Sequence, residues 1–216
     1  LPLYLFDKGK RVVYGIEGNK ITYTDFTHLS KASKVYNVVF VIEGNRRMNG
    51  VFPYLSNILQ TTHASFNDLI PEGLVNYGIV VYTNMEAEIC KTRQRITEVV
   101  PLTNNHERCA EYMLSLFSRP LSCDIKDNGV AAMYPGLYQA ANLFKGHEDE
   151  NNLIVLIGAV GNEQNEAAGN LIVRLSEVNA KILSFQARNI YFSAANDFVL
   201  QSQDIITKSA TQLAIN

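Results

Sequence analysis

The stretch Val35–Ile42, VYNVVFVI, is almost unbroken in apolar residues. A strand that reads this way is buried on both faces, as in the interior of a parallel sheet with helices on either side. Tyr77–Asn84 (YGIVVYTN) and Leu153–Ile157 (LIVLI) read the same way, and Lys181–Gln186 reads as a further strand. Between them run helical patterns. Asn49–Thr62 spaces Val51, Tyr54, Leu55, Ile58 and Leu59 along one face, and His106–Phe117 does so with Cys109, Tyr112, Met113 and Leu116. Asn104 or Asn105 is placed to cap the second of these. Tyr134–Phe144, with Pro135 tolerated in its first turn, Asn165–Asn179 and Ser193–Ala214 complete the helices. Ile96–Leu102 reads as an edge-hairpin strand and Ser118–Met133 as a loop.

Strands alternating with helices imply right-handed crossovers. The expected fold is α/β, a Rossmann-like, doubly wound, mostly parallel sheet. The first residues differ. Arg11–Ile16 and Lys20–Thr24 flank the turn Glu17-Gly18-Asn19 and read as a β-hairpin, followed by a polar connector over Phe26–Lys34. The expected division is an N-terminal hairpin and connector over 1–34 and the main domain over 35–216. Ile-Glu-Gly-Asn occurs at 16–19 and 42–45, in unlike settings, and reads as coincidence.

Composition narrows the function. Of 216 residues, 47% are hydrophobic, enough for a core. Lys and Arg number 19 against 21 Asp and Glu, a net charge of −2. A near-neutral chain has no global electrostatic reason to bind nucleic acid or anionic lipid, and the basic stretch 91–95 is too short to argue otherwise. The apolar runs fall far below the ~20 residues of a membrane span, so no direct membrane insertion is expected. The start lacks the basic and apolar pattern of a signal peptide, and opening Leu-Pro-Leu it reads as an excised piece of something longer.

Catalytic signatures are missing. There is no GxSxG nucleophile elbow. Gly158-Ala-Val-Gly161 lacks the full GxGxxG and reads as a tight strand-to-helix turn that uses glycine's backbone freedom. Cys90, Cys109 and Cys123 show no CxxC spacing, although spacing permits a Cys109–Cys123 bridge. Cys109 reads as a core residue, and His106 beside it in sequence is not a catalytic geometry. His28, His63, His106 and His147 form no close pair with metal-ligand spacing, and His147–Glu150 reads as a solvated turn. The sequence gives no reason to expect an enzyme or a cofactor. An α/β enzyme with an unrecognised site is the rival reading.

In a doubly wound sheet, ligands meet the loops at the carboxyl ends of the strands. Those loops are Glu43–Gly50, the stretch before Tyr134, and Gly158–Glu163. Aromatic residues that need not be core, Tyr4, Phe6, Tyr23, Phe26, Phe52 and Tyr134, suit protein contacts. For Tyr4 and Phe6, packing of the hairpin on the sheet or on an adjacent domain is the simpler role.

The stretch VVFVIEGNRRMNG (38–50) resembles the opening of a von Willebrand factor A domain, where an apolar strand runs into Asp-x-Ser-x-Ser and then a helix. The later strands and helices follow that family's order across 35–216. The resemblance implies a protein-docking domain with a metal-ion-dependent adhesion site. Its ligands would be that Asp, both Ser, a Thr before the third helix and an Asp after the fourth strand. This sequence departs at nearly every one. Glu43 stands for the Asp, Asn45 for the first Ser and Arg47 for the second. The Thr position falls near Pro135 and the late Asp near Ala159. Magnesium demands oxygen ligands in near-octahedral array. The expectation is therefore a degenerate site without metal, in which Arg47, or its neighbour Arg46, pairs with Glu43 in place of the cation. Solvent-facing arginines, and metal binding through altered ligands, are the alternatives. The expected docking face comprises Glu43, Asn45, Arg46, Arg47, Asn49 and Tyr134, with the loop 127–134. The whole chain also resembles part of a component of the type VI secretion systems of Bacteroidetes. That likeness implies a periplasmic or envelope-associated scaffold whose partners are proteins of a membrane-associated assembly.

Overall fold

The computed structural model describes residues 5–7, 12–14, 18–83, 97–118, 130–162, 168–187 and 195–215. The elements run β1 (Leu5–Asp7), β2 (Val12–Tyr14), β3 (Lys20–Ile21), α1 (Tyr23–Ala32), β4 (Val35–Glu43), a 3-10 turn (Arg46–Met48), α2 (Phe52–Leu69), β5 (Leu74–Tyr82) and β6 (Thr97–Thr103). There follow α3 (His106–Ser118), α4 (Met133–Leu143), β7 (Asn151–Gly158), α5 (Gly169–Glu177), β8 (Ala180–Gln186) and α6 (Ala195–Ile215).

β4 lies at the centre of a five-stranded sheet of order β6-β5-β4-β7-β8, with β5 and β7 both parallel to it. Its residues from Asn37 to Glu43 are all buried, as the apolar run requires. β8 is parallel to β7, and only β6, at one edge, is antiparallel. The chain first builds outward from β4 through β5 to β6, then returns to build β7 and β8 on the other side. With right-handed crossovers this reversal puts the two sets of helices on opposite faces. α2 packs with α3, and α4, α5 and α6 pack together. The switch point of the sheet lies between β4 and β7, where Glu43 ends one strand and Gly158 the other.

The asparagine inside the apolar run Val35–Ile42 has a structural reason. Asn37 is in register with Asn76 of β5 and Asn152 of β7. Asn76 Nδ2 donates to Asn37 Oδ1 at 2.9 Å, and Asn37 Nδ2 donates to Asn152 Oδ1 at 2.9 Å and to Glu150 Oε2 at 2.7 Å. Asn152 Nδ2 in turn donates to the carbonyls of His147 and Val178, both at 2.8 Å. A slip of any of these three strands would strand buried amides without partners, so the ladder fixes their register.

The N-terminal region differs from expectation. The hairpin forms, with Val13 opposite Ile21 and Tyr14 opposite Lys20, but β1 adds a third antiparallel strand. The expected polar connector is helix α1. Thr22 caps it: Asp25 N–H donates to Thr22 Oγ1 at 3.1 Å, and Thr22 Oγ1 donates back to Asp25 Oδ2 at 2.5 Å. The helix therefore starts at Tyr23, inside the stretch expected to be strand. α2 starts later than expected, because the 3-10 turn intervenes, and runs on to Leu69. The basic stretch 91–95, Cys90 and Cys123 lie outside the described residues, as does Tyr4. Cys109 is a free, buried thiol on the core face of α3.

Candidate functional site

β4 delivers Glu43 to the switch point with no solvent exposure. A carboxylate buried there needs donors for both oxygens. Asn45 Nδ2 donates to Oε1 at 2.9 Å. Arg47 Nε forms an ion pair with the same oxygen at 2.5 Å, its side chain only 2% exposed. Oε2 accepts the backbone N–H of Ala159 at 2.7 Å and of Val160 at 3.3 Å. The extra methylene of Glu over Asp is what lets the carboxylate reach the loop after β7.

The 3-10 turn decides between the two arginines. Tightening the chain after Asn45 folds Arg47 back over the strand end, while Arg46 is exposed. Arg47 also reaches the Val130 carbonyl at 3.5 Å, joining the turn to the stretch before α4. Asn49, likewise exposed, closes the turn through its N–H on the Arg46 carbonyl at 2.9 Å.

Tyr134 is half-buried against the core, and its backbone takes part in the site. Its N–H donates to Asn162 Oδ1 at 3.0 Å, so the start of α4 is capped from the loop after β7. Asn162 is held by Gln201 of α6, which accepts its N–H at 2.7 Å and donates to its carbonyl at 2.9 Å. Two further links tie the loops together: Ala132 N–H to the Thr83 carbonyl and Ala131 N–H to the Gly161 carbonyl, at 2.8 and 2.9 Å.

The glycines of Gly158-Ala-Val-Gly161 serve close packing. Neither adopts positive φ. A Cβ on Gly158 would stand 2.2 Å from Tyr82 Oη, 2.8 Å from Phe198 and 3.3 Å from Glu43 Oε2. A Cβ on Gly161 would meet the backbone of α6 at 2.8 Å. The space kept by Gly158 holds the Tyr82 phenol, which is fully buried and has no hydrogen-bond partner among the described residues. Burial pushes its pKa well above the usual 10, the Glu43 charge adds to that, and Arg47 opposes it.

Of the expected docking residues, Glu43, Asn45 and Arg47 form one buried cluster, with Arg46 and Asn49 on its outer rim. Phe52 is core, 2% exposed, because α2 turns it inward, so it is no contact residue. Phe26 is half-buried, whereas Tyr23 is 76% exposed. Asn162 lies in the expected loop Gly158–Glu163, whereas Tyr82 and Gln201 were not legible as site residues. Tyr82 reads as one more apolar position of its strand, and Gln201 as the solvent face of a helix.

A central sheet whose order reverses at β4, with a loop cluster closing over its carboxyl end, is the arrangement expected of a von Willebrand factor A domain, and the family model that matches the chain is of that class. The chain belongs to the TssR family: the family model described as TssR protein VWA domain matches residues 1–216. None of the curated proteins matches this chain. Among solved structures, the pilus adhesin SpaC from Lactobacillus rhamnosus GG, in its open conformation, aligns with TM-score 0.53 and 12% identity. The alignment covers 90% of this chain and 28% of the adhesin. An aerotolerance-related membrane protein from Bacteroides fragilis NCTC 9343, carrying multiple mutations to serine, aligns with TM-score 0.53 and 11% identity, over 81% of this chain and 88% of that one. At such identities these likenesses speak for the fold alone. Among the described residues, no helix is long and apolar enough to cross a membrane.

Proposed function

We propose that this domain is a metal-independent protein-docking module of a type VI secretion component associated with the cell envelope. The carrying observation is the Glu43 carboxylate. Three hydrogen bonds and an ion pair engage it, and a guanidinium occupies the place where a cation would balance it. A divalent ion would have to displace Arg47, and neither Pro135 nor Ala159 offers a side-chain oxygen. The residues present do not fit an octahedral oxygen shell.

The same geometry speaks against catalysis at this place. Among the described residues Glu43 is the carboxylate at the switch point, and its oxygens are held by fixed donors, which leaves it poorly suited as a base for proton transfer. Recognition then rests on shape and hydrogen bonding at the rim, where Arg46 and Asn49 are exposed. The periplasmic or envelope location and the scaffold role belong to this proposal, and membership of the TssR family supports them. So does the division into an N-terminal appendage over 1–34 and a docking domain over 35–216.

The test is capture of the other components of the secretion assembly by this domain, with and without a chelator. The proposal expects capture that the chelator does not change. Capture abolished by chelator and restored by magnesium would overturn it.

A further inference from the structure

The fold brings together two histidines that lie far apart in sequence. His63 of α2 and His106 of α3 stack with ring centroids 3.8 Å apart and planes at 18°. Both nitrogens of His63 are engaged. Asn67 Nδ2, one turn along α2, lies 3.2 Å from Nε2, and Tyr77 Oη of β5 lies 3.2 Å from Nδ1. An amide nitrogen only donates, so Nε2 accepts and the single proton sits on Nδ1, donated to Tyr77 Oη. His63 is thus held as one neutral tautomer.

A second proton has no place in this arrangement. It would point from Nε2 at the donor group of Asn67. The resulting cation would lie against the second imidazole, at the start of α3, where the helix dipole is positive. The groups facing His63 are Asn67 from its own helix, Tyr77 from β5, and His106 from α3, with the Cys109 thiol one turn further on. Among the described residues no carboxylate pairs with either ring. Tyr77, pushed by burial up to about 12, stays a neutral phenol throughout.

We infer that the stacked His63–His106 pair is an acid-sensitive clasp between α2 and α3, closed while the His63 imidazole is neutral and released when His63 takes up a proton. Burial, and then the neighbouring His106, lower the His63 value from the ordinary 6.5. Once the helices part, His63 titrates at the ordinary value, so opening is coupled to proton uptake. The clasp therefore contributes fully above about pH 6.5, and its contribution is lost as the pH falls below that value.

The test reads the imidazole resonances of the whole chain by NMR from pH 8 to 4.5, with amide hydrogen exchange across α2 and α3. His63 is expected as the Nδ1–H tautomer at pH 8, with a midpoint below that of an ordinary histidine. Protection of the α2–α3 amides, corrected for intrinsic rates, should fall about threefold or more between pH 7.5 and 5. His106→Phe keeps a stacked ring and should raise the His63 midpoint. The double variant His63→Phe/His106→Phe should make protection independent of pH. An ordinary His63 midpoint in the native chain would overturn the inference. So would an acid loss of protection that persists undiminished in the double variant. If the double variant fails to fold, the midpoint in the native chain and in His106→Phe decides alone.

Discussion

Glu43 and Arg47 face each other out of solvent at the carboxyl end of the central strand, Oε1 2.5 Å from Nε. Each charge is the other's counter-ion, with Asn45, Ala159 and Val160 supplying the remaining bonds to the carboxylate. Removing one partner leaves an uncompensated ion, a loss of about 3–5 kcal/mol. Arg47→Ser should therefore lower the melting temperature by roughly 10 °C in a domain of this size. Glu43→Gln/Arg47→Met, which removes both charges, should lie closer to the native chain than Arg47→Met alone. Differential scanning calorimetry of the four proteins checks this. An unchanged melting temperature for Arg47→Ser would refute the pairing.

Gly158 and Tyr82 are coupled by space. Gly158→Ala forces a methyl into the volume of the phenol oxygen and should cost about 2 kcal/mol. Tyr82→Phe removes a buried hydroxyl without a partner among the described residues, so it should be neutral or mildly stabilising. It should also recover part of the Gly158→Ala loss, though not all, because Phe198 crowds the same position. Chemical denaturation of the two single variants and the double variant measures this coupling.

The asparagine ladder makes an independent prediction. Asn37→Leu keeps the branched outline in a bulkier side chain but leaves Asn76, Asn152 and Glu150 each short of a bond. The expected loss is about 2–3 kcal/mol, read from the urea midpoint.

Arg46 separates docking from folding. It is exposed on the rim, so Arg46→Glu should leave stability within about 0.5 kcal/mol while weakening capture of partners. Undiminished capture would place the interface elsewhere.

The parts of the fold that follow from local pattern were legible. Val35–Ile42 could only be a central strand, and the helices of the main domain appear at or near their expected places. Helix α1 was not anticipated because its residues are polar. The Thr22-x-x-Asp25 cap was the signal available, outweighed by the β-like composition of Lys20–Thr24. At the site, the pairing of Glu43 with an arginine was readable from the substituted ligand pattern. The choice of Arg47 over Arg46 was not, because it depends on the 3-10 turn. Contacts such as Tyr82 with Gly158, or His63 with His106, join residues with no shared local pattern, and only the assembled sheet and helices define them.

The most direct measurement is calorimetric titration of magnesium and of manganese into the native chain, with thermal melts alongside. A carboxylate already engaged by Arg47, Asn45, Ala159 and Val160 predicts no heat of binding and no shift in melting temperature. Saturable binding accompanied by a higher melting temperature would contradict that account and make this a working metal-dependent domain.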